Sequence, residues 1–164
     1  MSIWTPAENL LLGQAIADTS TTAKHRVGQI VRCDHPTYGA GEFIYLEGVA
    51  STAVGSWVTY SMDDGSTALL AANAIGPVAV SMSANVANQY GWYQIGGKAV
   101  AKVAAAFADN GNVYATATAG TADDAVVSGD RVKRAKGASA IDTPSTGLAE
   151  MEIDRPFMDD ALSA

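Results

Sequence analysis

Few residues in this chain could carry out chemistry. It has two histidines, His25 and His35, and one cysteine, Cys33. Cys33-Asp34-His35 sets a thiol, a carboxyl and an imidazole side by side, the residue types of a nucleophile with its base. Side chains on a strand alternate faces, so Cys33 and His35 share one face and Asp34 points away. That spacing fits a buried small thiol at a strand end better than an activated nucleophile. His25, Cys33 and His35 also lack the paired close spacings of a zinc site, so no metal is expected there. The acid pairs Asp63-Asp64, Asp123-Asp124 and Asp159-Asp160 could offer oxygens to calcium. None continues into an EF-hand loop, and each sits among turn residues, so solvated turns are the expectation. Gly39-Ala-Gly41 precedes a strand rather than opening a helix, Gly48 to Gly55 lacks a phosphate-loop lysine, and no GxSxG elbow occurs. No catalytic residue, metal or cofactor is therefore expected, and the chain reads as non-enzymatic.

What remains is residues suited to contact. Arg131, Lys133, Arg134 and Lys136 concentrate positive charge in a chain of net charge −7. On a regular strand Arg131 and Lys133 would lie on one face, with Arg134 and Lys136 on the other. Such a strand serves equally as a charged sheet edge that discourages aggregation or as a contact row for an acidic partner surface. Tyr90, Trp92 and Tyr93 crowd a glycine-flanked strand, where core packing is the default. Ile3 and Trp4 differ, because they stand on an N-terminal stretch with no obvious core to join. A large apolar side chain there needs a surface to cover, its own or a neighbour's. With Phe157 near the C-terminus, the candidate partner contacts are Ile3, Trp4, Arg131, Lys133, Arg134 and Phe157.

The elements that must position these residues follow from composition and periodicity. A chain of 164 residues, 48% hydrophobic and 16% charged, is the size of one domain. A single cysteine excludes an internal disulfide and suits a reducing cytoplasm. The N-terminus has no basic region before its short apolar run Leu10 to Leu12, so neither export nor a membrane span is expected. The acidic balance argues against nucleic-acid binding, which needs a basic face.

Residues 1–26 read as an arm. Within it a brief helix is expected over Ala7 to Ala17, since Thr5, Pro6 and Glu8 supply an N-cap, an N1 proline and an N3 acid. From Val27 onward, short β-type runs alternate with turn residues every eight to twelve positions. Phe43 and Tyr45 fall opposite Ile44 and Leu46, and Trp57 and Thr59 opposite Val58 and Tyr60. Candidate strands are 28–33, 42–47, 56–61, 67–71, 78–82, 91–95, 99–103, 112–118, 131–138 and 147–153. Asp64-Gly65 and Asn110-Gly111 close tight turns, and Gly76-Pro77 and Gly96-Gly97 break the runs between them. The alanine-rich stretch Lys98 to Ala108 reads as strand to Val103 and then a loose turn. The expected fold is mainly β, a β-sandwich or jelly-roll-like domain over 27–153, with an extended N-terminal arm and a C-terminal tail over 154–164.

The phrases HRVGQIVRC, GEFIYLEGVAS, GSWVTY, GWYQIGGKAVAKV and GTADDAVVSGDRVKRAKGASAIDTPSTGLAEMEIDRPFMDDAL resemble the small tailed-phage virion proteins known as capsid decoration or cement proteins. The likeness runs from about Asp18 to the C-terminus and carries no catalytic signature. It implies a β-sandwich or jelly-roll-like protein made in the host cytoplasm and bound to the outer surface of an icosahedral head. There, as a homodimer or homotrimer, it would bridge neighbouring major capsid proteins, with no nucleic-acid or membrane partner. Two other readings stay open: a host-surface or glycan-binding module displayed on the virion, and a hydrolase assembled in space around His35.

Overall fold

A computed structural model describes residues 4–7 and 12–159. The chain forms β1 (Thr5–Pro6), β2 (Thr19–Ser20), β3 (Ile30–His35), β4 (Gly39–Glu47), β5 (Trp57–Tyr60) and β6 (Thr67–Leu69). It continues through β7 (Gly76–Ser81), β8 (Tyr90–Lys102), β9 (Asn112–Ala115), β10 (Ala122–Asp123), β11 (Arg131–Gly137) and β12 (Leu148–Met158). These twelve strands make one sheet in the order β1-β3-β4-β8-β7-β12-β11-β9-β10, with β2 added to β8 and β6-β5 added to β7. Every strand pairing is antiparallel. The fold is thus all-β and sandwich-like, and no helix occurs among the described residues.

The period-two pattern of β4 explains why a sheet this long folds over itself. Phe43 and Tyr45 enter one apolar cluster with Val31, Cys33, Trp92 and Ile16. Ile44 and Leu46 enter another with Val58, Ala79, Tyr93 and Ile95. Both faces of β4 are therefore covered, which a flat sheet with one wet face would not allow. A third and larger cluster gathers Trp57, Val80, Phe107, Val113, Val132 and Met151. Burying one such side chain contributes about 1.5–3 kcal/mol, so the fully buried Trp57, Trp92, Phe43 and Tyr93 are principal anchors.

β8 links these clusters. Its first half pairs with β4, from Tyr90 against Glu47 to Gly96 against Glu42. Its second half pairs with β12, from Gly96 against Asp154 to Lys102 against Leu148. Gly96-Gly97, expected to separate two strands, instead lies inside one strand of thirteen residues. Gly97 has φ +95°, and a β-carbon there would meet the Ala40 carbonyl oxygen. The pairing with β4 shifts register at this level. Buried Gln94 spans the irregularity, its side-chain N–H donating to the carbonyls of Gly96 (3.0 Å) and Lys98 (3.2 Å). The glycine bends the strand rather than ending it.

The expected arm and tail both join the sheet where they are described. β1 pairs with the edge of β3, Thr5 against Asp34 and Pro6 against Cys33. β2 pairs with β8, Thr19 against Gly91 and Ser20 against Tyr90. Of the helix expected over 7–17, residues 8–11 lie outside the described residues, and 12–17 run through bends and turns instead. At the other end β12 does not stop at Ile153. It runs to Met158, with Phe157 against Lys133 and Pro77. Alternation slips by one residue at Asp154 and Arg155, both exposed and with Arg155 at φ 46°, and then resumes with Pro156 and Met158 turned inward.

Candidate functional site

β11 carries the basic run, and it is not a sheet edge. It lies between β9 and β12, with Arg131 against Tyr114 on one side and Lys136 against Glu152 on the other. The two-faced distribution expected of its cations is also overturned. Arg134 takes φ 63°, and the register against β12 shifts between Lys133 and Ala135. This bulge turns one residue out of phase, so Arg131, Lys133, Arg134 and Lys136 are all exposed while Val132, Ala135 and Gly137 are buried.

Carboxylates on neighbouring strands meet most of these cations. Lys133 Nζ lies 2.5 Å from Asp159 Oδ2, Arg134 Nη2 2.5 Å from Asp154 Oδ2, and Lys136 Nζ 3.3 Å from Glu152 Oε2. The ladder continues across β12 to β8, where Lys98 Nζ lies 2.6 Å from Glu150 Oε2. It reaches β4 through Arg155 Nη2, 2.8 Å from Glu42 Oε2. Glu150 accepts a hydrogen bond from Lys98 and adds its charge, which together hold the ammonium above its ordinary pKa. Arg131 instead donates to the side-chain oxygen of Asn112 at 3.2 Å. Exposed pairs of this kind each contribute only about 0.2–1 kcal/mol, so the ladder fixes side-chain geometry more than it stabilises the fold. Phe157 sits in this charged surface at 41% exposure, directly across from Lys133.

Three of the four described partner-contact candidates beyond Trp4 therefore share β11, and Phe157 joins them from β12. Trp4 is elsewhere and half-buried. Its ring lies 4.9 Å from both Phe43 and His35 and 6.5 Å from Tyr38, so the protein's own sheet supplies the surface it covers. Ile3 lies outside the described residues. Trp92 and Tyr93 are fully buried on opposite faces of β8. Trp92 donates its indole N–H to the Gln14 carbonyl at 2.9 Å.

The residues with chemical potential are engaged structurally. Cys33 is fully buried, and burial, followed by the Asp34 charge, pushes its thiol up to about 11. His35 shares its face of β3, with its Nδ1 accepting from the backbone N–H of Thr37 (3.0 Å) and Tyr38 (3.2 Å). Asp64 Oδ1 accepts from the backbone and hydroxyl of Ser66, which hold its carboxyl below the usual range. Asp124 Oδ2 accepts from Ala108 N–H at 3.0 Å. Among the described residues no three His, Cys, Asp or Glu side chains gather as a metal set. A cleft of about 650 Å³ is lined by residues 26–29 and 61–65 together with Ile44 and Leu46.

The ladder was hidden from sequence reasoning because its partners lie far apart in the chain. Glu42 and Arg155, for example, are separated by 113 positions. The alternation of charge through Glu150, Glu152 and Asp154 on one side of β12 is the signal that could have shown an acidic row waiting for a basic one. Comparison with protein-family models, with characterised proteins and with solved structures finds no match to this chain.

Proposed function

We propose that this protein is a structural component of a phage virion that binds the outer surface of an icosahedral head and cements neighbouring major capsid proteins. Its resemblance to capsid decoration proteins supplies the partner. The structural observation that supports a contact role is the β11–β12 face, where exposed Phe157 stands among side chains already held by ion pairs. Held side chains lose less rotamer freedom on docking than free ones. A single apolar ring inside a polar surround has the layout of an interface anchor with its rim. Association into a homodimer or homotrimer multiplies such contacts, so modest single contacts add through effective concentration.

The test is co-sedimentation with expanded phage heads, followed by cryo-electron microscopy of the decorated particle. Binding at lattice stoichiometry is expected, and Phe157→Ser should weaken it at least tenfold while leaving the circular dichroism spectrum unchanged. Because carboxylates of the same chain already compensate Lys133, Arg134 and Lys136, raising salt from 0.05 to 0.5 M should change affinity little. Failure of the wild-type protein to bind heads would overturn the proposal, and full binding by the Phe157 variant would move the contact to another face.

A further inference from the structure

The ion pairs of the ladder fall into rows of one sign. On β11 the row is basic, with Lys133, Arg134 and Lys136, and beside it on β12 the row is acidic, with Glu152 and Asp154. The two rows run side by side on one face, Lys136 directly against Glu152 and Lys133 against Phe157. Over the whole ladder five cations meet five carboxylates, so the chain's net charge of −7 is carried by the rest of it. Two copies of so acidic a chain repel in most orientations, and over this face that repulsion is cancelled.

Neighbouring rows of opposite sign are self-complementary under a twofold rotation. An axis lying along the strands, between β11 and β12, lays a second copy face to face with the first and carries each row over the opposite row. Such an axis keeps heights along the strands, so Lys136 of one copy comes to Glu152 of the second copy, and Arg134 to Asp154. Each charge keeps its partner within the chain and gains another of opposite sign, so four charges close a square. The same rotation sets Phe157, 41% exposed, over the apolar stem and ammonium of Lys133 in the second copy, where the ring leaves water and meets a cation.

We propose that the β11–β12 face pairs with the same face of a second copy, making the protein a twofold dimer. The inference rests on the reading of that face as a contact surface and names its occupant. A foreign surface of one sign would be attracted by one row and repelled by the other, whereas a second copy supplies both signs at the matching spacing. Side chains already held by their own ion pairs lose little rotamer freedom when the faces meet. A dimer presents its remaining surfaces twice to a repeating lattice, so losing Phe157 weakens head binding through lost effective concentration.

Sedimentation velocity of the full chain at about 50 µM should show a dimer, with a dissociation constant of about 10 µM or tighter. Lys136→Glu and Glu152→Lys change two exposed side chains, and each should weaken self-association at least tenfold with the circular dichroism spectrum unchanged. Mixed in equal amounts, the two variants should recover dimerisation, because each altered row then faces the opposite sign. Carbodiimide coupling of mixed ¹⁴N and ¹⁵N wild-type chains should join Lys136 to Glu152 between chains, read as peptides of mixed isotope, and this decides the matter if a variant fails to fold. A monomeric wild type, single variants that dimerise like wild type, variants that do not pair when mixed, or coupling within chains alone would each overturn the twofold face. Heads bound by a monomer would overturn it and spare the cement reading, and a dimer that ignores heads would do the reverse.

Discussion

On the Tyr45 side of β4, Ile16 and Trp4 are laid over Phe43, Tyr45 and Trp92, and Tyr45 and Trp92 pair their polar groups with Gln14 inside the cover. On the β11–β12 face, five ion pairs tie exposed side chains across β4, β8, β12 and β11, and Phe157 remains partly open to solvent. Both regions join segments distant in sequence, yet by different physics. Burial on the Tyr45 side removes apolar area from water and makes each paired polar group costly to orphan. Water and salt on the ladder face compete for every charge, so its pairs order the surface without holding the fold. The Tyr45 side should therefore govern stability, and the ladder face is free to serve contact.

Substitutions can break this contrast. Trp92→Ala should produce the largest effect, about 3–5 kcal/mol by urea denaturation, because it empties a fully buried ring site and orphans the Gln14 carbonyl. A cost under about 1 kcal/mol would mean the Tyr45 side is not core. Gly97→Ala should follow at about 1–3 kcal/mol, since an alanine at φ +95° is strained and its β-carbon meets the Ala40 carbonyl. That variant separates strain in the shared strand β8 from packing on either face. Lys136→Ala should have the smallest effect, below about 1 kcal/mol and shrinking as salt rises. A large, salt-insensitive loss there would give the ladder a share in the fold that its exposure does not suggest.

Much of the fold was legible in the chain. Alternation in Phe43-Ile44-Tyr45-Leu46 announced a strand, and the structure buries its two sets of side chains in two clusters. Asp64-Gly65 announced a turn, and Gly65, at φ +73°, closes the connection from β5 to β6. The basic run was visible as charge but not as geometry. Whether Arg134 continues or interrupts the alternation depends on how β12 lies against β11, and no local propensity encodes that.

The sequence by itself determined where most of the longer strands lie, which side chains must leave water, and where glycine permits a turn, because these depend on near neighbours and on transfer free energy. Only the tertiary structure decided that Gly97 bends a strand instead of ending it and that the basic run lies on an interior strand with Lys133, Arg134 and Lys136 already paired to carboxylates. It also decided that Trp4 covers its own sheet and that His35 meets backbone donors. Each of these depends on what arrives from far along the chain, and long-range pairing selects among conformations that local energies leave nearly equal.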